Sequence, residues 1–392
     1  MTGRAPANDL AELKQFVVAQ ATSQGITPAQ YGAVLDGVVD DGDGGPGSWV
    51  RRWTEAGDRL EREGRLLEAG RYYTMARFPY PSGSARREAE QRARDVFARW
   101  AADFPGIERI EVPTAAGPVA AWAGGLTAGG PSAGGPSAGG LTAGGLTAER
   151  LSAGGPSAER PKPLLLMSGG IISLKEQWAP VLLQLAEFGL AGVVTEMPGV
   201  GENPLPYDLT APALLPAVLD AVADRADTAR TYALALSFSG NLALHAALTD
   251  PRIRGVVGAG LPVHDFFTDR AWHATVPRVT VDTLAHLART DAGSVFDALA
   301  PLALDPDRLS KVDVPVGLVA SARDEIIPPS DTDRLRRSLR SLRLRVHDDV
   351  HGSPRFFPQT RLWTLLTVLR MSGGPLDRRL ALGAELRALD RR

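Results

Sequence analysis

In the second half of the chain, apolar positions follow two patterns, one typical of strands and one typical of helices. Short apolar runs of strand length recur from residue 163 onward, and stretches with helical spacing separate them. This alternation predicts an α/β fold with a mostly parallel sheet. The predicted strands are Pro163–Met167, Leu190–Glu196, Tyr232–Leu236, Ile253–Ala259, Val314–Ala320 and Leu342–His347. The predicted helices lie near 175–188, 210–225, 239–249, 330–340 and 358–371.

The N-terminal part of the chain follows a different pattern. Residues 8–104 place apolar and aromatic side chains near helical spacing, with no alternation of the strand type. Most of these side chains are expected to form an ordinary helical core. Two short runs, Ile110–Pro113 and Pro118–Trp122, predict an antiparallel pair of strands that begins the sheet.

A low-complexity segment separates this pair from the remaining strands. Residues 124–158 consist of consecutive pentads such as GGLTA and GGPSA, with no aromatic side chain. Such pentads bury too little apolar surface to offset the entropy of ordering, so we expect a disordered insertion. The predicted organisation is therefore a helical domain (1–105), an α/β core (106–375) that contains the insertion, and a helical tail (376–392).

Composition narrows the class of protein. The chain has 392 residues, 44% hydrophobic, and a formal net charge of −2, which gives no reason to expect a nucleic-acid partner. It has no cysteine, so thiolate metal sites and a cysteine nucleophile are excluded. The apolar runs are too short to span a membrane and the N-terminus lacks a signal-peptide pattern, so we expect a cytoplasmic protein.

The segment around Ser237 predicts a nucleophile. An apolar strand runs directly into the serine, and the small residues Ser239 and Gly240 open a helix on its far side. Such a strand–turn–helix elbow exposes the hydroxyl and directs a helix N-terminus at a developing oxyanion. The usual glycines of the G-x-S-x-G pattern are replaced by Ala235 and Ser239. The alternative is that Ser237 only ends the strand and caps the helix.

Two further strand ends supply an acid and a base. Asp324 follows an apolar strand, with Glu325 as its rival, and His351 lies in a Gly/Pro-bounded loop after the last strand. A hydroxyl nucleophile needs a general base, and the base needs an orienting carboxylate. His347 lies nearer the strand and is expected to be structural. His264 follows the strand 253–259 and is expected at the same edge, as a substrate-binding residue.

The first strand of the parallel set predicts an oxyanion hole. Gly169 and Gly170 follow it directly, so the backbone there can turn an N–H of Gly170 or Ile171 towards the nucleophile. The N–H of Phe238 is the second predicted donor. The alternative is a tight turn with no role in catalysis.

These segments together resemble the FrsA-like esterase branch of the α/β-hydrolase superfamily, which includes hydrolases of the 2,6-dihydroxypseudooxynicotine type and polyketide-shortening hydrolases. The order Ser…Asp…His is that of the superfamily. The segments that carry the resemblance are Ser168–Glu176, Glu196–Glu202, the elbow at Ser237, Pro262–Asp265 and the loops of Asp324 and His351. The resemblance implies an α/β-hydrolase fold in which the N-terminal helical domain forms a lid. We expect Tyr72 or Tyr73 of that lid to approach the substrate.

The resulting hypothesis is a serine hydrolase that acts on a small-molecule carbonyl substrate. It cleaves an ester, a thioester or an activated C–C bond, and a polyketide-like compound is the substrate class considered. An acyltransferase or cyclase that uses the same triad is the alternative, and a non-catalytic binding protein is a third class. The chemistry requires no cofactor and no metal. The expected partner is the substrate alone, with no nucleic acid and no membrane, and a homodimer is left open.

Overall fold

The predicted alternation of strands and helices is present in the computed structural model, which describes residues 8–42, 44–127 and 160–391. Within these ranges one sheet of eight strands forms the centre of an α/β core. A helical domain precedes it in the chain. The predicted fold class, an α/β-hydrolase fold with a mostly parallel sheet and an N-terminal helical domain, is confirmed.

The sheet has the strand order β1-β2-β4-β3-β5-β6-β7-β8. The β1–β2 and β2–β4 pairs are antiparallel, and all other neighbouring pairs are parallel. The predicted antiparallel start of the sheet is thus present. The strands are β1 (Ile107–Val112), β2 (Val119–Gly124), β3 (Pro163–Ser168), β4 (Ala191–Thr195), β5 (Asp227–Leu236), β6 (Ile253–Ala259), β7 (Val316–Ser321) and β8 (Leu342–His347).

The central strands are largely apolar because helices cover both faces of the sheet. Every residue of β4 is buried, as are Leu164–Ser168 of β3. Continuous apolar runs of this kind are typical of buried parallel strands. The carboxyl ends of β3, β5, β6 and β7 meet at one edge of the sheet, where open α/β sheets bind their ligands.

The core helices flank this sheet. No helix in the described ranges is both long enough and apolar enough to cross a lipid bilayer. The core helices are α6 (Leu182–Leu185), α7 (Leu214–Ala221), α8 (Phe238–Thr249), α9 (Asp265–Thr268), α10 (Arg270–His273), α11 (Arg278–Ala288), α12 (Val295–Leu299), α13 (Pro306–Ser310), α14 (Pro329–Ser338), α15 (Phe357–Ser372) and α16 (Leu376–Leu389). Short 3-10 turns lie at Lys175–Gln177, Ala179–Val181, Ala186–Phe188, Ala211–Ala213, Ala300–Leu302 and Pro354–Phe356.

One predicted helix is broken. The stretch 175–188 consists of three 3-10 turns and the single short helix α6. Pro180 lies in its middle and has no N–H with which to continue a helical hydrogen-bond series. The apolar spacing of the segment persists, since Leu182 and Leu185 are buried, but regular helix does not.

The helical domain has its own aromatic core. Trp49 and Trp53 are fully buried, and their ring centroids lie 6.1 Å apart. Trp49 donates its indole N–H to the carbonyl of Met75 at 2.9 Å. This core continues onto Val279 of α11, so the helical domain packs on the α/β core. Its helices are α1 (Leu10–Ser23), α2 (Pro28–Leu35), α3 (Trp49–Arg62), α4 (Leu66–Arg77) and α5 (Ser84–Ala101).

The chain on either side of the pentad insertion is anchored at the edge of the sheet where the parallel strands begin. Thr127 donates its backbone N–H to the carbonyl of Arg225 at 2.9 Å. Asp227 donates its backbone N–H to the carbonyl of Lys162, also at 2.9 Å. The two anchor points, Arg225 and Asp227, belong to one short segment at the start of β5. Most of the insertion predicted at 124–158 lies outside the described residues.

Candidate active site

Ser237 occupies the turn between β5 and α8, with φ 56° and ψ −128°. A residue other than glycine with positive φ is strained, and such strain persists only where the surrounding structure fixes it. Here the backbone N–H of Ser237 donates to the carbonyl of Ala259 at 2.7 Å. Ser239 Oγ donates to the carbonyls of Leu236 and Ser168, at 2.8 and 3.1 Å.

Small residues around the elbow allow this close packing. A Cβ placed on Gly240 would lie 2.3 Å from Cγ of the buried Leu261. A Cβ on Gly258 would lie 2.3 Å from the carbonyl oxygen of Ala235. The elbow therefore accepts Ala and Ser at two of the positions where glycine is usual, while Gly240 and Gly258 provide the space.

Ser237, His351 and Asp324 form one hydrogen-bonded series. Ser237 Oγ lies 2.9 Å from His351 Nε2. His351 Nδ1 lies 3.0 and 2.9 Å from the two carboxylate oxygens of Asp324. Asp324 also accepts the backbone N–H groups of Ile326 and Ile327, which fix its orientation. Burial opposes protonation of the imidazole, but the charge and hydrogen bond of Asp324 outweigh it and raise the pKa of His351.

Glu325 has a different position from its neighbour. Its Oε2 accepts the backbone N–H of His351 at 2.9 Å and does not contact the ring nitrogens. Of the two candidate acids, Asp324 alone holds the imidazole. Glu325 instead borders the cavity in front of Ser237 and fixes the backbone of the histidine loop.

The predicted oxyanion donors lie beside the nucleophile. A Cβ on Gly170 would lie 3.2 Å from Ser237 Cβ, so the backbone at residue 170 approaches the serine as closely as a glycine permits. Phe238 is the first residue of α8, directly after Ser237. Among the described residues, no hydrogen-bond acceptor is assigned to the N–H groups of Gly170, Ile171 or Phe238. These groups are therefore free to bind a substrate oxygen.

An apolar cavity of about 190 Å³ lies in front of Ser237 and His351. One wall comes from the loop after β3, including Gly170 and Ile171, and another from Val279 on α11. Its other apolar lining residues include Phe16, Ala19, Phe78, Trp178, Leu236, Ala259, Ile326, Pro354 and Phe357. The polar ones include those of Gln20, Ser23, Thr280, Thr283 and Thr360.

The helical domain contributes to this cavity mainly through α1, where the sequence predicts no substrate-binding residue. Phe16, Gln20 and Ser23 of α1 line it, together with Phe78 at the end of α4. The signal was present in the sequence, because residues 16, 20 and 23 have the spacing of one helix face. That pattern alone does not reveal which part of the molecule the face contacts.

The tyrosines predicted at the substrate require correction. Tyr72 and Tyr73 are absent from the lining of the cavity. Tyr73 donates its hydroxyl towards Asp58 and Glu61, 2.8 and 2.6 Å away, and Tyr72 packs on Trp53. Both belong to the interior of the helical domain, because their helix faces α3 and α5 there.

Two further histidines, His264 and His347, lie outside the hydrogen-bonded series. His264 Nδ1 lies 2.7 Å from Asp265 Oδ1, and its ring is absent from the cavity lining, which corrects its predicted contact with substrate. Asp331 accepts the backbone N–H groups at Val263, His264 and Asp265, which holds this loop against α14. His347 stacks on Phe356 with ring centroids 4.5 Å apart. Burial lowers the pKa of His347, as expected of a structural histidine.

A buried ionic cluster lies behind the loop that follows β3. Lys175 is fully buried, and its Nζ lies 3.0, 3.3 and 2.7 Å from carboxylate oxygens of Glu176, Glu196 and Glu202. Burial disfavours the ammonium, but the carboxylates raise the pKa of Lys175. Burial raises the pKa of Glu196 to about 7. The cluster joins the loops after β3 and β4.

Among residues 8–42, 44–127 and 160–391, no group of His, Asp and Glu side chains is arranged to hold a metal.

The chain is similar to known proteins over a region that includes Ser237 and the loop after β3. A family model described as Esterase FrsA-like matches residues 153–298. Esterase FrsA of Vibrio cholerae serotype O1 is 26% identical over 259 residues, which cover 61% of this chain and 54% of that protein. The chain thus spans little more than half the length of this curated relative. Esterase FrsA of Photobacterium profundum is 23% identical over 342 residues, 79% of this chain and 74% of that protein.

Two solved structures resemble more than nine-tenths of the chain. AbyA5 is 50% identical, with a TM-score of 0.87 over 97% of this chain and 100% of that one. A 2,6-dihydroxy-pseudo-oxynicotine hydrolase is 18% identical, with a TM-score of 0.63 over 91% of this chain and 94% of that one. The second comparison extends the shared fold to the helical domain.

Proposed function

Because the chain belongs to the FrsA-like esterase branch of the α/β-hydrolase superfamily, we propose that this α/β-hydrolase enzyme uses Ser237, His351 and Asp324 as a catalytic triad. The observation that carries the proposal is the hydrogen-bonded series from Ser237 Oγ through His351 to Asp324, at 2.9 Å and 2.9–3.0 Å. A base within this distance can take the hydroxyl proton as the oxygen attacks.

In the proposed reaction, Ser237 Oγ attacks a carbonyl carbon while His351 Nε2 accepts its proton. Asp324 keeps the other ring nitrogen protonated and stabilises the imidazolium. The N–H groups of Phe238 and of Gly170 or Ile171 bind the oxyanion of the tetrahedral intermediate. His351 then returns its proton to the leaving group, and water releases the acyl group from Ser237 by the reverse sequence of proton transfers. An ester, a thioester or an activated C–C bond fits this scheme.

The lining of the cavity supports an uncharged, largely apolar substrate. No lysine or arginine side chain borders the cavity among the described residues, so an anionic group meets no counter-charge there. Glu325 would repel such a group. A polyketide-like acyl compound has the required character. For matched p-nitrophenyl esters, we expect kcat/KM for a neutral acyl chain to exceed that for a chain with a terminal carboxylate by about tenfold or more.

An acyltransferase or cyclase is the second candidate, and the apolar cavity beneath α1 favours it. Exclusion of water from such a site allows a hydroxyl, amine or carbanion of the substrate to replace water as the acceptor. Product analysis with and without an added alcohol separates the two. Formation of a new ester in the presence of the alcohol supports transfer, and release of the free acid alone supports hydrolysis.

The nucleophile is tested with a fluorophosphonate probe and mass spectrometry of the labelled peptide. We expect labelling at Ser237 in the wild type and none in Ser237→Ala, whose turnover should also be lost. Ser294→Ala removes an exposed hydroxyl at the start of α12 and serves as the control with full labelling. Turnover that persists in a folded Ser237→Ala variant would contradict the proposed nucleophile.

A further inference from the structure

Arg77 connects the helical domain to the loop that follows β3. It is the last residue of α4 and its side chain is 1% exposed. Its Nε donates to Glu90 Oε2 of α5 at 2.8 Å, and its Nη1 donates to the carbonyl of Pro79 at 3.0 Å. The same Nη1 donates to the carbonyl of Ile172 at 2.8 Å. This last contact leaves the helical domain and ends on the α/β core.

Ile172 lies in the segment that carries the proposed oxyanion donors. It directly follows Gly170 and Ile171, and Ser173 donates its N–H back to the carbonyl of Gly170 at 3.1 Å to close the turn. The Ile172 carbonyl shares its peptide plane with the Ser173 N–H, and the Gly170 carbonyl that this N–H reaches shares its plane with the Ile171 N–H. A carbonyl fixed at residue 172 therefore restrains the turn that aims the Ile171 N–H and, next to it, the Gly170 N–H. Hydrogen bonds from a buried cation are stronger and more directional than neutral ones.

Glu90 holds the guanidinium in place. Its Oε1 also accepts from Arg94 Nη1 at 3.1 Å. Glu90 is buried, so the Arg77–Glu90 pair is shielded from solvent. Arg77 is also adjacent in sequence to Phe78, which lines the cavity, as Ile172 does. The contact thus lies immediately behind the wall of the proposed active site.

We propose that Arg77 is a positioning residue for the oxyanion hole: it holds the Ile172 carbonyl from the helical domain, and so sets the aim of the Gly170 and Ile171 N–H groups at the carbonyl oxygen of the substrate. The inference rests on the proposed serine-hydrolase function. It assigns the helical domain a part in the chemical step beyond covering the cavity. A donor aimed away from the oxyanion loses stabilisation that exists only in the transition state, so the loss falls on kcat.

Arg77→Lys in the full chain tests the assignment. Lysine keeps the positive charge beside Glu90 but lacks the planar group that reaches Glu90 and Ile172 together. We expect kcat to fall about tenfold to a hundredfold, short of the ~10²–10³ that follows complete removal of an oxyanion donor, with KM little changed. The affinity for phenylboronic acid, which forms a tetrahedral adduct on the serine, should fall in parallel.

Arg94→Lys is the matched control, because Arg94 contacts the same carboxylate without contacting Ile172. Its kcat, KM and boronate affinity should equal those of the wild type. A wild-type kcat in folded Arg77→Lys overturns the proposal, as does an equal loss in Arg94→Lys. If Arg77→Lys does not fold, the double variant Arg77→Met/Glu90→Leu takes its place. It removes both charges together, and apolar replacement of a buried ion pair is often tolerated. Wild-type kcat in the double variant also overturns the proposal.

The proposed function is judged separately by the labelling and turnover of the wild type against Ser237→Ala. Normal labelling of Ser237 together with a wild-type kcat in Arg77→Lys contradicts only the role of Arg77. Absence of labelling in the wild type contradicts the nucleophile itself, and the claim about Arg77 fails with it.

Discussion

Glu325 accepts the backbone N–H of His351 at 2.9 Å, while the adjacent Asp324 takes the ring of the same histidine. Two consecutive carboxylates thus bind the same histidine, one at its backbone and the other at its ring. Both carboxylates favour the protonated imidazole and help to raise the pKa of His351 against the opposing effect of burial. This arrangement makes the pH dependence of the proposed reaction sensitive to a residue outside the triad.

We expect Glu325→Gln to move the acid limb of the kcat/KM profile to lower pH. The imidazole must be neutral to accept the serine proton, so kcat/KM rises with pH through the pKa of His351. Removal of the Glu325 charge lowers that pKa, and the rise then begins at lower pH. Asp348→Asn is the control, because Asp348 is exposed and pairs with Arg323. A shift to higher pH, or an equal shift in the control, would contradict this electrostatic role.

Gly240→Ala should destabilise the protein by about 1–3 kcal/mol. The added Cβ would lie 2.3–2.9 Å from Cγ and both Cδ atoms of the buried Leu261, so the whole side chain would have to shift. The free energy of unfolding is measured by urea denaturation. Gly32→Ala in α2 is the control, since nothing lies within 4 Å of its added Cβ, and it should be neutral or stabilising by up to ~1 kcal/mol. Equal stabilities of the two variants would argue against tight packing at the elbow.

Lys175→Met should lower the free energy of unfolding by about 3–5 kcal/mol. The substitution leaves the carboxylates of Glu176, Glu196 and Glu202 without the cation that they surround. Thermal or urea denaturation monitored by circular dichroism measures the effect. Lys311→Met replaces an exposed lysine and should change stability by no more than about 0.5 kcal/mol. If both variants were equally stable, the buried cluster would have no stabilising role.

Phe16→Ala should weaken the use of bulky acyl substrates. Phe16 is one of the α1 side chains that line the cavity, and loss of a buried aromatic contact reduces binding by about 1.5–3 kcal/mol, or about tenfold or more. We expect a higher KM for long acyl chains and a smaller change for acetyl esters. Val18→Ala, on the same helix but absent from the cavity lining, controls for general loosening of α1. An equal effect on both substrates would show that Phe16 does not contact the acyl chain.

Much of the α/β core follows from local sequence. Its strands were identifiable because buried parallel strands are continuously apolar, and their ends placed Ser237, Asp324 and His351 at one edge. The stretch 175–188 differed because Pro180 overrides apolar spacing. The sequence favours Asp324 over Glu325 as the acid, but it does not reveal the contact of Glu325 with the backbone of His351, which depends on how two separate loops meet.

The helical domain was predictable in type but not in orientation. Periodicity identifies the buried face of a helix and leaves open what covers it. It therefore does not separate Tyr72 and Tyr73, which face the interior of the helical domain, from the α1 side chains that line the cavity. The contact between Arg77 and Ile172 joins residues 95 positions apart, and no local pattern encodes it. The cytoplasmic location, the homodimer and the disordered pentads stay predictions.

The anchoring of Thr127 and Lys162 at the start of β5 has an evolutionary consequence. The described chain before and after residues 128–159 is held at the edge of the sheet where the parallel strands begin, and Ser237 lies at the opposite edge. The entropy of closing a loop between fixed ends changes slowly with its length. We therefore expect gain or loss of whole pentads to leave the catalytic edge unaffected, so that this part of the gene can vary in length without loss of activity.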